Sequence, residues 1–437
     1  MARHFVPWSS PFISQEDLLR DSRRSGDRSR DKYLRRMSPN RHTVKKKTEI
    51  GHWSFKGWGS DFHMKKSVCL LTAMFLIHGG LISQGILENP EKPLAENAGR
   101  VVALKEVLRI VDEGDKYYFK YPSLLHIATD ESIFVKDKDQ LLQFDKNGKF
   151  IQNYFRKGQG PGELNWISNY FLTDRNIIVH NGSPDKIIWF DFTGHLTREF
   201  AVRSAAGSLQ FLHFYNNHYY FYNHSFPKIE GEPKIIDNPL DFVSLEEGQE
   251  EIKSLSSFPI QVYVALAKGG GGGMVQLNKL IVVSHQQKYL LISHTSEYLV
   301  KLFDVEKNQV IRAFRRQYKR ARTSPEEAKG IKSMVMLGPD TPLIVPGQKY
   351  RADIENLLVY KDNLLVETST KEKEKGTLID VFNLGGTYID NFYLNLPGPA
   401  TATDAHPEAR TIWGDYLYTI EKNEDETFVI KKYKIGE

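Results

Sequence analysis

The stretch FRKGQGPGELNWI, residues 155–167, holds the residues whose types and spacing could do chemistry: Gly158, Gly160 and Gly162 alternate with Gln159 and Pro161, between Arg156 and Glu163. A glycine-rich run can cradle a phosphate when a strand leads into it and a helix follows at once. Here LNWISNYFLTD follows, which reads as another strand. Gly160-Pro161-Gly162-Glu163 suits a type II turn instead, with Pro161 fixing φ and Gly162 supplying a positive one. We therefore expect Gly158, Gly160, Pro161 and Gly162 to be structural turn residues and Arg156 and Glu163 to be the candidate ligand contacts.

Other chemistry has less material. No HExxH or comparable short metal motif is present, and His180, His285 and His294, at or just after strand-like runs, are only weak metal-ligand candidates. There is no GxSxG elbow and no cofactor motif, so neither catalytic residues nor a cofactor are assigned. Asp145 and Asp191 read as hairpin-turn residues, and the five glycines of 269–273 as a link between repeat units. FRRQYKRAR, 314–322, reads as a solvated loop or a contact for an anionic glycan or membrane surface.

The elements that must position these residues are short strands. SIFV, LLQF, NIIVH, KIIWF, YLLIS, NLLVY and YLYTI are apolar runs separated by turn residues. The one helical candidate is SPEEAKGIKSM, capped by Ser324 and started by Pro325. LLQFDKNGKFIQNY (141–154) matches IIWFDFTGHLTREF (187–200) at an offset of 46, a strand–Asp–Gly–strand hairpin. Weaker copies give the anchors Phe144, Phe190, Phe242, Phe303, Phe382 and Tyr433, spaced 46, 52, 61, 79 and 51 apart, so the longer units must carry insertions. Six all-β units predict a six-bladed β-propeller over 100–437. The last unit ends before its final strand, and RVVALKEVLRIV (100–111) could supply it, closing the ring and hiding two sheet edges.

Charge divides the chain. Residues 1–63 hold 14 Lys/Arg and 7 Asp/Glu, a net of +7, which leaves −2 for 64–437 out of a total of +5. A nucleic-acid partner for the body is therefore not expected. Met64, Lys65 and Lys66, the apolar stretch Val68 to Ile82, and Ser83-Gln84-Gly85 have the three regions of a signal peptide. This predicts a basic leader over 1–63 lying upstream of the true start, a signal peptide over 64–85, a linker over 86–99, and a periplasmic or secreted protein with no stable membrane span after cleavage. Cys69, the only cysteine, sits at the start of the apolar run instead of following it, so neither lipidation nor a disulfide is expected.

With the hairpins at 144–148 and 190–194 and the run from Arg156 through Glu163, the chain resembles a family of secreted six-bladed β-propellers common in Bacteroidetes, NHL-like in form. The resemblance covers about residues 100–437. It departs from many such proteins in lacking a lipoprotein cysteine, in the five-glycine run and in its degraded third unit. It implies export and a non-catalytic binding or interaction role toward a glycan, peptide or protein. The alternative is a propeller lyase or hydrolase with its site in the central channel.

Overall fold

The computed structural model describes residues 85–182, 184–202, 208–249, 251–266, 272–329, 331–336, 342–396 and 409–436. All of them belong to one of the chain's two structural units, and the description concerns that unit alone. The leader of 1–63 and all but the last residue of the signal segment lie outside the described residues.

Among the described residues, six blade sheets with antiparallel cores follow one another along the chain. Blade 1 comprises Pro122–Ile127, Ile133–Asp137, Gln140–Phe144 and Phe150–Asn153. Blade 2 comprises Ile167–Leu172, Asn176–Gly182, Asp185–Asp191 and Leu196–Ala201. Blade 3 is longer: Ser208–Tyr215, His218–His224, Lys234–Glu246, Ile252–Leu266 and a fifth strand, Gly272–Gln276. Blade 4 has Leu280–His285, Tyr289–His294, Val300–Asp304 and Gln309–Arg316, and blade 5 has Ile354–Tyr360, Asn363–Glu372, Gly376–Asn383 and Tyr388–Leu394. Blade 6 takes Arg410–Trp413, Tyr416–Lys422 and Phe428–Ile435 from the C-terminus, and its outer strand, Leu104–Ile110, from the N-terminal side. Ile430 pairs Ile110 and Ile435 pairs Leu104. The chain is a six-bladed β-propeller closed by strands from both ends.

Each seam between neighbouring blades has its own apolar cluster. Tyr418 and Ile430 of blade 6 meet Leu142 and Phe144 of blade 1. Phe134 of blade 1 meets Phe190 of blade 2, and Ile178 of blade 2 meets Phe211 of blade 3. The remaining seams are filled in the same way, with Phe242 against Phe303, Phe314 against Phe382, and Leu365 against Leu417. Burial of this kind is the main force closing the ring.

The repeat anchors acquire a geometric meaning. In every blade the third strand carries a bulge against the outer strand, immediately before Phe144, Phe190, Phe303, Phe382 and Tyr433. In blade 3 the bulge falls one residue later, between Phe242 and Val243. Val243, not Phe242, therefore holds the anchor position and packs toward blade 2. Phe242 faces the other way, edge-on to Phe303 with centroids 5.1 Å apart. A one-residue slip turns a strand side chain to the opposite face, which is why blade 3 matched the repeat poorly. The Asp turns are as the repeat implies: Asp145 Oδ1 accepts from the amides of Asn147 and Lys149, and Asp191 Oδ1 from those of Thr193 and His195. Gly148 and Gly194 close these turns at φ 82° and 85°.

Four expectations change. The stretch 86–99 is not a free linker: Leu87–Asn89 adds a parallel strand to blade 4, and the Ala95 and Gly99 amides donate to Ile389 and Asn391 of blade 5. Of the 100–111 stretch only the later part closes blade 6, because Arg100–Val102 pairs in parallel with Phe392–Leu394 of blade 5. The polyglycine run does not join blades 3 and 4. Gly272 and Gly273 pair with Leu266 and Ala265 inside a blade 3 hairpin, and 267–271 lie outside the described residues. The helix expected from Ser324 shrinks to one 3-10 turn, Glu327–Lys329. A reciprocal cap between Ser324 and Glu327 starts it, and Ile331–Met336 leaves it to pair with Pro342–Val345.

Candidate functional site

Strand direction separates two faces. Turns from first to second and from third to outer strands are short and share one face. Among the described residues, the other face receives the connections from outer strands to the next blade, 154–166 and most of 317–353 among them, and the extended hairpins of blades 3 and 5. Long connections held by a rigid ring are where binding residues concentrate.

The GQGPGE run lies on this loop face, joining blades 1 and 2. Glu163 N–H donates to Gly160 O at 3.1 Å and Gly162 has φ 69°, the geometry of a type II turn. The Glu163 carboxylate folds back to accept from Gly160 N–H at 2.8 Å. Glu199 accepts from Gly162 N–H, and Lys186 bridges Gly160 O and Glu199. Arg156 is exposed and makes no side-chain ion pair among the described residues. A Cβ on Gly158 would stand 1.9 Å from Glu163 Oε2. We expect Gly158→Ala to cost about 1–3 kcal/mol in a urea melt, and about half that or less in a Glu163→Ala background, where the clash is gone. Equal costs in both backgrounds would show that the brace plays no part.

The three histidines do not come together, and no group of three metal-ligating side chains occurs among the described residues. His285 pairs with Tyr289 at the turn-face end of the inner hairpin of blade 4, and His294 pairs with Leu280 at the loop-face end. Burial lowers the pKa of both. His180 is fully buried in blade 2, edge-on to Phe221, with Asp185 3.6 Å from its Nε2. The basic run also differs from a solvated loop. Phe314 is buried, and Arg316 and Arg320 are paired with Asp380 and Asp353.

A cleft of about 340 Å³ opens on the loop face where blades 3 and 4 meet the 317–353 connection. Its floor is Asn278, 6% exposed, which accepts from Gln261 N–H at 2.7 Å and donates to Ser296 Oγ at 2.9 Å. Thr295 Oγ1 accepts from Lys279 N–H, and Thr295 O accepts from Asp353 N–H. The far wall is strand-like: Tyr350 bridges Arg322, and Arg351 N–H donates to Ala321 O. Arg320 binds Asp353 Oδ1 at 2.8 Å and Ser296 O at 3.2 Å, with its guanidinium 4.7 Å from the Tyr350 ring centre. Lys349 approaches the same ring at 5.3 Å, and Arg351 is paired with Glu327. Among the described residues, Gln261, Gln348, Ser296, Arg320, Lys349, Tyr350 and Arg351 line the cleft and no carboxylate does. Such a lining can hold a polar, negatively charged ligand. It presents no nucleophile with an adjacent base.

Toward the channel mouth, Glu355 and Glu367 project from blade 5. Lys371 lies 3.3 Å from Glu355, and Arg410 of blade 6 lies 2.7 Å from Glu367. Burial pushes the Glu355 carboxyl above its usual range against the pull of Lys371. Each carboxylate has its own cation, the pattern of an inter-blade ion network.

Neither the cleft nor this network was legible in the sequence, because their partners come from blades and connections far apart in the chain. The one available signal was the 79-residue gap between Phe303 and Phe382, which marks the 317–353 connection.

Residues 114–241 match the model of the DUF5128 family, described as a 6-bladed beta-propeller. No curated protein matches the chain. Among solved structures, a Bacteroides fragilis protein described as exported is 12% identical, with 81% of this chain and 100% of that one covered and a TM-score of 0.46. A DUF4221 member from Bacteroides vulgatus is also 12% identical, covering 77% of this chain and 99% of its own at a TM-score of 0.44. A Xanthomonas campestris gluconolactonase is 10% identical, covering 77% and 98% at a TM-score of 0.37. No helix among the described residues is long and apolar enough to cross a membrane.

Proposed function

We propose that this protein is an exported, non-catalytic binding module of the six-bladed propeller type, whose loop face holds a small polar ligand with an acidic group. The observation that carries this reading is the cleft between blades 3 and 4, where Arg320, Lys349 and Arg351 stand around Tyr350 and neutral hydrogen-bonding side chains, with no carboxylate among the described lining residues. Export rests on the signal-like segment 64–85.

Lys349 is exposed, with its ammonium 5.3 Å from the Tyr350 ring centre, so it can be reversed in charge without opening the fold. Lys349→Glu is expected to weaken binding of an acidic oligosaccharide or acidic peptide by about tenfold or more, with an unchanged melting temperature. Isothermal titration against paired acidic and neutral ligands measures it. Unchanged affinity for every bound acidic ligand would remove the cleft from the ligand site.

A hydrolytic reading draws on one observation only, the raised carboxyl of Glu355 near Glu367 at the channel mouth. Glu355→Gln abolishing turnover of a glycan or lactone panel would establish it.

A further inference from the structure

Two exposed aromatic residues occupy matching positions on the loop face. Tyr121, 64% exposed, immediately precedes the first strand of blade 1, and Trp166, 51% exposed, immediately precedes that of blade 2. Those two inner strands are neighbours across the blade 1–2 seam, which brings the two positions to adjacent places on the loop face. Tyr118, also exposed, lies three residues before Tyr121, with Lys120 Nζ 4.6 Å from its ring.

Both positions are fixed from beneath. The buried Asp137 carboxylate accepts from the Lys120 and Tyr121 amides, and Gln140 Nε2 donates to Tyr118 O. On blade 2, buried Asn181 Oδ1 accepts from the Asn165 and Trp166 amides, and Gly182 N–H donates to Trp166 O. The indole lies over Gly182, where a Cβ would come within 2.6 Å of its Cε3. The GQGPGE turn braces the same connection, through the Leu164 amide to Arg156 O and the Gly158 amide to Leu164 O. The fold thus fixes the backbone at both positions and seats the indole over Gly182, while both side chains stay exposed. The indole N–H and the Tyr121 hydroxyl have no hydrogen-bond partner among the described residues.

We propose that Tyr121 and Trp166 form a stacking platform for the sugar rings of an acidic oligosaccharide, with Arg156 and Lys120 beside it for the acid groups. A pyranose ring presents an apolar C–H face to an aromatic ring and hydroxyls around its edge, matching amphipathic rings set among polar side chains. Separate rings divided by Lys120, Arg156 and Asn165 do not make the continuous apolar patch that a protein or lipid partner needs. Nucleic acid also stacks on exposed rings, but it requires a cationic track, and residues 64–437 carry a net −2. The inference rests on the loop face being the ligand face, while the platform is a site separate from the cleft.

The test uses the full chain with tetragalacturonate, cellotetraose and a twelve-residue oligothymidylate, followed by titration calorimetry and tryptophan fluorescence. Tetragalacturonate is expected to bind more tightly than cellotetraose. Trp166→Ala and Tyr121→Ala should each weaken it by about tenfold or more, and Trp166→Phe by about threefold or less. Melting temperatures of all three variants should match the parent. Full affinity in Trp166→Ala and Tyr121→Ala, binding of the oligothymidylate alone, or binding of no saccharide would each overturn the platform. If Lys349→Glu loses tetragalacturonate while Trp166→Ala keeps it, the platform fails and the cleft stands. Loss in Trp166→Ala with full binding in Lys349→Glu supports the platform and removes the cleft.

Discussion

Asp380→Ala is expected to cost about 3–5 kcal/mol of stability, the range for removing one partner of a buried ion pair. The Asp380 side chain is fully buried between blades 4 and 5 and that of Arg316 is 6% exposed, with 2.7 Å between their charged atoms. Tyr298 and Tyr388 donate their hydroxyls to the same carboxylate, and Asn391 donates to Tyr388. The guanidinium sits 5.1–5.2 Å from the ring centres of Tyr298, Tyr318 and Tyr388. Without Asp380, two buried hydroxyls lose their acceptor and the buried guanidinium keeps only Gln317 O and no counter-charge, and desolvation of the cation dominates the loss. Urea unfolding of Asp380→Ala and Asp380→Asn measures it. The asparagine variant keeps an acceptor oxygen and should lose less than alanine. A loss under about 1 kcal/mol in both would mean that the blade 4–5 junction does not depend on this network.

The second large effect concerns closure. A chain starting at residue 112 is expected to lose the folded monomer altogether, running as aggregate in gel filtration. It lacks Leu104–Ile110, which leaves Phe428–Ile435 as an open edge and uncovers the Ile110 and Leu108 positions in the blade 6–1 seam. It also lacks Asn89, whose amide donates to Arg315 O and Gly386 O while its oxygen accepts from Tyr388 N–H, tying blade 4 to blade 5. A chain starting at residue 85 keeps all of these and should melt cooperatively. A synthetic peptide of residues 85–111 should restore monomer to the shorter chain. A monomeric, cooperatively melting 112–437 would contradict closure by the N-terminal strand.

The fold was legible because a propeller repeats its local chemistry. The Asp–Gly turn after Phe144 and Phe190 needs residues that bond their own backbone and adopt positive φ, and that requirement marks the sequence each time. The repeat blurred where the bulge slid by one residue at Val243 and where blade 3 extended its outer hairpin through Gly272. The parallel strands Leu87–Asn89 and Arg100–Val102 left no trace of their own, since three-residue additions to a sheet edge have no period to read.

The site was harder to read, for a physical reason. The GQGPGE run is conspicuous because glycine and proline serve backbone geometry, and its carboxylate braces its own turn. The cleft is made of Asn278, Ser296, Arg320 and Tyr350, ordinary residues whose meaning lies in having been brought together from two blades and one insertion. Trp166 falls between these cases. It sits at the end of the glycine-rich connection, yet its exposure depends on Asn181 and Gly182 in the next strand.

The central claim is that the loop face is the ligand face. Hydrogen–deuterium exchange of the full chain, with and without a saturating amount of the tightest-binding tetrasaccharide, tests it most directly. Protection is expected in 118–121, 154–166, 295–296 and 348–352, with the turns at 145–149 and 192–195 unchanged. Protection confined to those turns would contradict it.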